Sequence, residues 1–190
     1  MKCALCETKE CYKKGKDCTG ERDKLINQLK NEDMRIMEKA AKIEADYYMV
    51  IPRLKELIEF CKIMKFKRIG IAFCIGLAEE AKVLHRILGK EFEVFSVCCK
   101  VCGIGKDLLK LEKLHKNKEF EATCNPIGQA LILNESNTNL NVVVGLCIGH
   151  DILFSKYSNA PVTTLVVKDR VLAHNPIGAI YSGYYREKLL

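Results

Sequence analysis

The sequence lacks any apolar run near the roughly 18 to 20 residues that a membrane span requires. Met1 leads directly into Lys2 and Cys3, without the apolar stretch of a secretory signal. We therefore expect no membrane span and a cytoplasmic location. Hydrophobic residues make up 48% of the chain and charged residues 29%, proportions that argue against disorder.

The sequence also lacks the common motifs for nucleotide binding and hydrolysis. The turns at Gly76 and Gly149 do not form a dinucleotide fingerprint, and Gly103-Ile-Gly105 has neither the third glycine nor a following helical pattern. There is no phosphate-loop lysine motif. No Ser/His/Asp set can be argued from residue order alone. These classes of enzyme therefore gain no support from the sequence.

The formal net charge is +7, but the chain has no single basic stripe. The basic stretches at 13–16 and 62–68 alternate with acidic or apolar residues. The sum also treats every thiol as neutral, whereas metal ligands bind as thiolates and would offset about four of these charges at two four-thiolate sites. We do not expect nucleic acid to be a partner.

Eleven cysteines in 190 residues are the most informative feature of the composition. In a reducing cytoplasm, structural disulfides are an unlikely use for them, and the odd count points the same way. Cysteines kept in number where thiols stay reduced usually serve as metal ligands or redox groups. The sequence therefore predicts thiolate chemistry.

The first twenty residues hold four cysteines, with spacings of two, four and six residues between them, and few apolar side chains. The four are Cys3, Cys6, Cys11 and Cys18. A shared metal is the physical reason for such a segment to be ordered. The spacing matches neither a standard zinc finger nor the bacterial ferredoxin run, so a four-iron cluster and zinc both stay open. The alternative is a cluster of free or regulatory thiols.

The rest of the chain, 21–190, is predicted to be one α/β domain. A helical pattern covers Glu21 to Tyr48 and a second helix begins at Pro52. Apolar runs then alternate with helical segments, which indicates a mostly parallel sheet with crossover helices. The predicted strands are 68–73, 92–97, 141–146 and 162–168.

Two short motifs recur in the same order. Phe73-Cys-Ile-Gly76 is matched by Leu146-Cys-Ile-Gly149, and Cys124-Asn-Pro-Ile-Gly128 by His174-Asn-Pro-Ile-Gly178. In each half, a strand that ends in a lysine lies between the first motif and the second. We infer two related half-domains at about 68–137 and 140–186.

A second thiol site is predicted at the carboxyl ends of the strands, where ligands bind in open parallel sheets. Its five candidate ligands are Cys74, Cys99, Cys102, Cys124 and Cys147. Cys98 is a weaker candidate, because adjacent extended residues point to opposite faces and Cys99 forms Cys-x2-Cys with Cys102. Four thiolates would close the site, whereas three would leave an iron open to substrate. The alternative is that several of them are buried cysteines.

Polar residues in the same zone are weaker candidates for catalysis. His150, Lys100 and Lys168 are the best of them, and Asp169, Arg170 and His174 lie nearby in sequence. Such residues are more often solvated loop residues than catalysts. The sequence leaves open whether the protein is an enzyme.

The chain resembles, along nearly its whole length, a family of cysteine-rich proteins of unknown function from anaerobic bacteria and archaea. The resemblance is carried by Met1-Lys-Cys-Ala-Leu-Cys6, Lys16-Asp-Cys-Thr19, Ile71-Ala-Phe-Cys-Ile-Gly76, Val97-Cys-Cys-Lys-Val-Cys-Gly103, Cys124-Asn-Pro-Ile-Gly-Gln-Ala130, Gly145-Leu-Cys-Ile-Gly-His-Asp151 and Leu172-Ala-His-Asn-Pro176. It implies metal binding and an anaerobic setting. It supplies no reaction and does not choose between zinc and iron.

Two function hypotheses follow. In the first, this is an iron–sulfur protein whose N-terminal 4Fe-4S cluster relays electrons to a core cluster with a redox or sulfur-transfer role. A redox partner protein or a small-molecule substrate would then be its partner. In the second, zinc binds a non-catalytic module for metal sensing, storage or delivery. The oligomeric state is not set by the sequence.

Overall fold

The computed structural model describes residues 1–29 and 31–189. They divide into two compact units, Met1–Tyr48 and Met49–Leu190. The predicted limits of a metal-binding segment at 1–20 and an α/β domain at 21–190 stay predictions.

The first unit is helical, with irregular segments between its helices. The helices are α1 (Glu10–Lys14), α2 (Arg22–Gln28) and α3 (Asn31–Tyr47), and a 3₁₀ turn covers Cys3–Leu5. Asp17 orders the chain before α2, because its carboxylate accepts hydrogen bonds from the backbone N–H groups of Thr19 and Arg22. These bonds, that of Thr19 first, lower the pKa of Asp17 to about 2.

The second unit alternates helices and strands. In chain order its elements are α4 (Arg53–Ile63), β1 (Arg68–Phe73), α5 (Ala78–Leu88), β2 (Glu93–Cys98), α6 (Pro126–Glu135), β3 (Leu140–Val144), α7 (His150–Tyr157), β4 (Val162–Val166), α8 (Ile177–Tyr181) and α9 (Gly183–Leu189). The four strands correspond to the four predicted runs, with ends that differ by one or two residues.

The strands form one sheet in the order β2-β1-β3-β4, and every neighbouring pair is parallel. The predicted α/β fold with a parallel sheet and crossover helices is therefore confirmed. From β1 the chain crosses to β2 on one side, and from β3 it crosses to β4 on the other. The carboxyl ends of β1 and β3 thus flank the point where the strand order reverses, which is where open α/β sheets bind ligands.

Helices cover both faces of the sheet, so the central strands are apolar on both sides. One face packs Ile69 and Ile71 of β1 against α4 and α5. The other packs Ala72 of β1 and Val143 of β3 against α6 and α7. Both central strands are therefore buried, and β3 is buried at every position.

The order strand, helix, strand, helix occurs in β1-α5-β2-α6 and again in β3-α7-β4-α8. These segments coincide with the two inferred half-domains. A common origin of the halves stays a prediction. Among the residues that the structure describes, none of the helices is both long enough and apolar enough to cross a membrane.

A buried asparagine in β3 explains a glycine in β1. Asn141 is fully buried, accepts a hydrogen bond from the Thr138 hydroxyl (2.8 Å) and donates one to Ser158 Oγ (2.8 Å). Gly70 is its register partner on β1. A Cβ atom at Gly70 would overlap Asn141 Oδ1 and lie 3.0 Å from Leu133 Cδ1. Because both hydrogen bonds hold the amide in place, only glycine fits here.

Gly70→Ala is therefore expected to lower the free energy of unfolding by about 1–3 kcal/mol through overpacking. Urea denaturation followed by circular dichroism measures this change. Gly183→Ala is the matched control, because no atom lies within 4 Å of its added Cβ. Equal stability of the two variants would contradict the proposed role of Asn141.

Candidate thiol site at the strand ends

Backbone hydrogen bonding continues past the strands and brings two cysteines side by side. Cys74 follows β1 and Cys99 follows β2. The Cys99 N–H donates to the Phe73 carbonyl (2.8 Å), and the Cys74 N–H donates to the Val144 carbonyl (3.1 Å). Cys74 and Cys99 therefore lie on neighbouring chain segments, as parallel pairing requires.

The third cysteine comes from the N-terminus of α6. Asn125 is the N-cap of this helix, its side chain accepts from the Gly128 N–H (2.8 Å), and Pro126 follows at the first helical position. The Asn125 N–H donates to the Cys99 carbonyl (2.8 Å). This bond places Cys124 beside Cys99, and their Sγ atoms are 3.9 Å apart.

A buried glutamine ties the ends of β1 and β2 together under the thiols. Gln129 in α6 is fully buried, and its Nε2 donates to the carbonyls of Val97 (2.7 Å) and Phe73 (3.2 Å). The sequence interpretation did not consider this residue. The signal was present, since Gln129 is the one polar side chain in the run Ile127 to Leu133 of an otherwise apolar helix.

Cys99 occupies the middle of the thiol cluster, which we define as Cys74, Cys99 and Cys124. Hydrogen bonds to Cys124 and then to Cys74 raise the pKa of Cys99. The same bonds to Cys99 are the largest cause that lowers the pKa of Cys74 and of Cys124, each to about 5. Cys99 also accepts a hydrogen bond from the Ile75 N–H (3.3 Å). These pKa directions favour the thiolate forms of Cys74 and Cys124, with the Cys99 thiol between them.

Lys100 and Lys168, which the sequence analysis gave as weaker candidates for catalysis, supply positive charge at this site. Lys100 Nζ donates to Cys124 Sγ (3.4 Å) and to the Ala122 carbonyl (2.7 Å). The charge of Lys168 lowers the pKa of Cys74 further. The third, His150, begins α7 and contributes to the lowered pKa of Cys124 through its charge. These side chains stabilise the two outer thiolates.

Cys147 is held apart from the cluster by an arginine. Arg170 Nη2 donates to Cys147 Sγ (2.9 Å), and the interaction with this thiol is the first cause that raises the pKa of Arg170. Asp169 orders the arginine loop by accepting from the backbone N–H of Leu172 (2.8 Å) and donating its own N–H to His174 Nδ1 (3.1 Å). The sequence interpretation treated Arg170 as a loop residue, and nothing in the sequence indicated its thiol partner.

The other predicted ligands have different surroundings. Cys102 is exposed, with a positive φ of 69°, in the turn Val101–Gly103. Cys98 is half-buried, and its Sγ accepts from the Lys100 N–H (3.5 Å). Cys61 on α4 was not predicted to be a ligand; it is fully buried, and burial raises its pKa to about 12.

The four N-terminal cysteines are all exposed. Cys6 Sγ lies 3.6 Å from Thr8 Oγ1, and the Cys18 thiol donates to the Lys16 carbonyl (3.8 Å). A backbone hydrogen bond from Lys9, followed by the bond to Thr8, lowers the pKa of Cys6. Cys3 and Cys11 are the other two. Their assignment as metal ligands stays a prediction.

Within 1–29 and 31–189, no three His, Cys, Asp or Glu side chains are grouped so that they could hold one metal ion as they stand. Cys99 contacts both of its neighbours, but the three sulfurs do not surround a common point. Metal binding at either predicted site would therefore require side chains to move toward the ion, as in proteins whose folding is completed by a metal.

The lowered pKa of Cys124 predicts its reactivity. Because this half-buried thiol has a pKa of about 5, its alkylation by iodoacetamide in metal-free protein should rise with a midpoint near that pH. Lys100→Met removes a neighbouring cation and should move the midpoint upward. Mass spectrometry of the Cys124 peptide after brief alkylation at each pH measures the profile.

The control is the same chain unfolded in guanidinium chloride, where Cys124 should titrate at about 8.5, as free thiols do. A midpoint that is the same in folded and unfolded protein would contradict the lowered pKa of Cys124.

Comparison with known proteins places the chain in a family. The family model described as "Protein of unknown function (DUF1847)" matches residues 12–165. The chain is also 62% identical, over 192 aligned positions, to "Uncharacterized protein MJ0455" of Methanocaldococcus jannaschii, and the match covers 100% of this chain and 98% of that protein. No solved structure matches the chain. The chain therefore belongs to the DUF1847 family, as its cysteine motifs indicated.

Proposed function

We propose that the thiol cluster is a metal centre with a redox or sulfur-transfer role, and that Cys74, Cys99 and Cys124 are its ligands. One observation carries the proposal: three sulfurs from three separate chain segments meet at the switch point of a parallel sheet. Buried cysteines that only fill space have no need of cationic neighbours. Here Lys100 hydrogen-bonds to Cys124 and the charge of Lys168 acts on Cys74, which favours the thiolate form of both.

The spacing of the thiols supports a single ion such as zinc or iron. Metal–sulfur bonds of about 2.3 Å in a tetrahedral site put neighbouring thiolates about 3.8 Å apart. The Sγ atoms of Cys99 and Cys124 are 3.9 Å apart, close to that length. Binding an ion would release the thiol proton between Cys99 and its neighbours and draw Cys74 and Cys124 inward.

The charge of the surroundings supports the second occupant, a 4Fe-4S cluster. Such a cluster with thiolate ligands is anionic, and each thiolate binds a different iron, so the ligands lie farther apart than those on one ion. Lys100, Lys168 and Arg170 supply compensating positive charge. Cys147 would be its fourth ligand after release from Arg170. The N-terminal set, Cys3 to Cys18, would hold a second metal or cluster of its own.

When bound, a redox-active centre would supply electron transfer or an open iron for a sulfur ligand. The chain's own residues would hold the thiolates, balance their charge and exclude water from the Cys99 side, where only 2% of the residue is exposed. The alternative is a non-catalytic zinc module for sensing, storage or delivery. A closed set of four thiolates would favour that alternative, whereas three ligands with an exchangeable position would favour chemistry.

Two variant pairs test the assignment of ligands. Cys99→Ser with Cys124→Ser is expected to remove one site's metal, because both sulfurs at the 3.9 Å contact are lost. Cys6→Ser with Cys11→Ser is expected to remove a different metal and leave the core's metal in place. Both results are measured on anaerobically purified protein by metal and sulfide analysis, together with absorbance and spin-resonance spectra.

Cys61→Ala is the matched control, because this buried cysteine packs on the opposite face of the sheet from Cys99. It should keep the full metal content. Wild-type protein without metal or sulfide would refute the proposal, and stoichiometric zinc alone would leave the zinc module as the function. Loss of the core's metal in the N-terminal pair would show that the two sets are one site.

A further inference from the structure

We infer that Cys124 and Cys99 form a nucleophile and resolving pair for thiol–disulfide exchange with small-molecule disulfides. This activity goes beyond the proposed metal centre and does not require a metal. It rests on the arrangement of the two sulfurs relative to solvent, to a cation and to each other.

The two thiols differ in access in the way that such a pair requires. Cys124 is half-buried, whereas Cys99 is 2% exposed and lies behind it. Cys124 is therefore the more accessible of the two to a dissolved disulfide. Lys100 Nζ, 3.4 Å from Cys124 Sγ, stabilises this sulfur as the thiolate, which is the form that attacks.

The backbone allows the two cysteines to be joined. The Asn125 N–H donates to the Cys99 carbonyl at 2.8 Å, so Cys124 and Cys99 lie on adjacent chain segments, as the short Cα separation of a disulfide demands. Their sulfurs are already 3.9 Å apart and need to close to about 2.05 Å. Side-chain rotation alone supplies much of that movement.

The exchange is balanced in two steps. The Cys124 thiolate attacks one sulfur of the small disulfide, a new S–S bond forms, the old one breaks, and the leaving thiolate takes a proton from water. Cys99 then gives up its proton and attacks Cys124 Sγ, which releases the second small thiol. Two protein thiols are oxidised to one disulfide, and one small disulfide is reduced to two thiols.

Cys74 is the other thiol beside Cys99, and it follows the neighbouring strand β1. Cys74 is 8% exposed, which makes it a poorer first target than Cys124. The first disulfide is therefore assigned to Cys99 and Cys124.

The test treats the full chain, stripped of metal by a chelator, with one equivalent of 2-hydroxyethyl disulfide and maps the bonds by mass spectrometry after acid quenching. Wild-type protein is expected to give an internal Cys99–Cys124 disulfide. Cys99→Ser should stop at a mixed disulfide on Cys124, and Cys124→Ser should leave Cys99 reduced. Cys102→Ser, which changes an exposed thiol outside the cluster, should behave as wild type.

The inference is overturned if wild-type protein stops at the mixed disulfide, if Cys99 is oxidised in Cys124→Ser, or if the internal bond maps to another pair. Circular dichroism of each variant excludes unfolding, and Cys74→Ser supplies a second readout, since it should still form the Cys99–Cys124 bond. Because metal-free protein is used, failure here leaves the proposed metal centre standing, and failure of metal binding leaves this result interpretable.

Discussion

The site depends on one constraint, the backbone hydrogen bonding that continues beyond the ends of β1 and β2. The Cys99 N–H reaches back to Phe73, and the Cys99 carbonyl accepts from Asn125. Cys99 is therefore held between two other cysteine-bearing segments through main-chain bonds that do not depend on its own side chain. Gln129 adds a second tie, since it donates to the carbonyls of Phe73, the last residue of β1, and Val97, the next-to-last residue of β2. The thiols lie close together because the backbone hydrogen bonding of the sheet continues into the loops after the strands.

The charged groups around these thiols bear on the chemistry that the cluster can carry out. Two thiolates side by side would repel each other in a partly buried site, and here the Cys99 thiol lies between the two outer sulfurs while Lys100 and Lys168 supply positive charge beside them. Lys100 and Lys168 come from loops after β2 and β4, on opposite sides of the central strands. A cysteine that serves only as a small hydrophobic residue needs no charged neighbours. Cys61 on α4 is an example, because burial is the cause that raises its pKa.

Much of the fold could be predicted because its signals are local. The apolar runs of β1 and β3, the Asn125-Pro126 start of α6 and the alternation of strand and helix all depend on neighbouring residues. The placement of Cys74 at the strand ends followed from the topology of parallel sheets. Sequence spacing was less informative for Cys102, which was linked to Cys99 through Cys-x2-Cys but turns outward at a positive φ.

The parts that could not be predicted depend on contacts across the sequence. Arg170 meets Cys147 across 23 positions, and Lys100 meets Cys124 across 24. No periodicity or motif encodes such a pair. Cys147 and Arg170 follow different strands, and Lys100 and Cys124 lie at opposite ends of the long segment between β2 and α6. Asn141 is a similar case: its burial beside Gly70 follows from the register of β3 on β1.

The two proposed uses of the cluster compete on any one molecule. A sulfur that has formed a disulfide has no thiolate charge to offer a metal, and a metal-bound thiolate is a weaker nucleophile toward a disulfide because it donates charge to the ion. Cys99 takes part in both, because it is the sulfur that touches both neighbours. Occupancy by metal would therefore protect Cys124 from small disulfides, and oxidation of Cys99 would release the metal. Because the buried Cys99 sulfur takes part in both uses, the redox state of the cluster would determine whether it can bind metal.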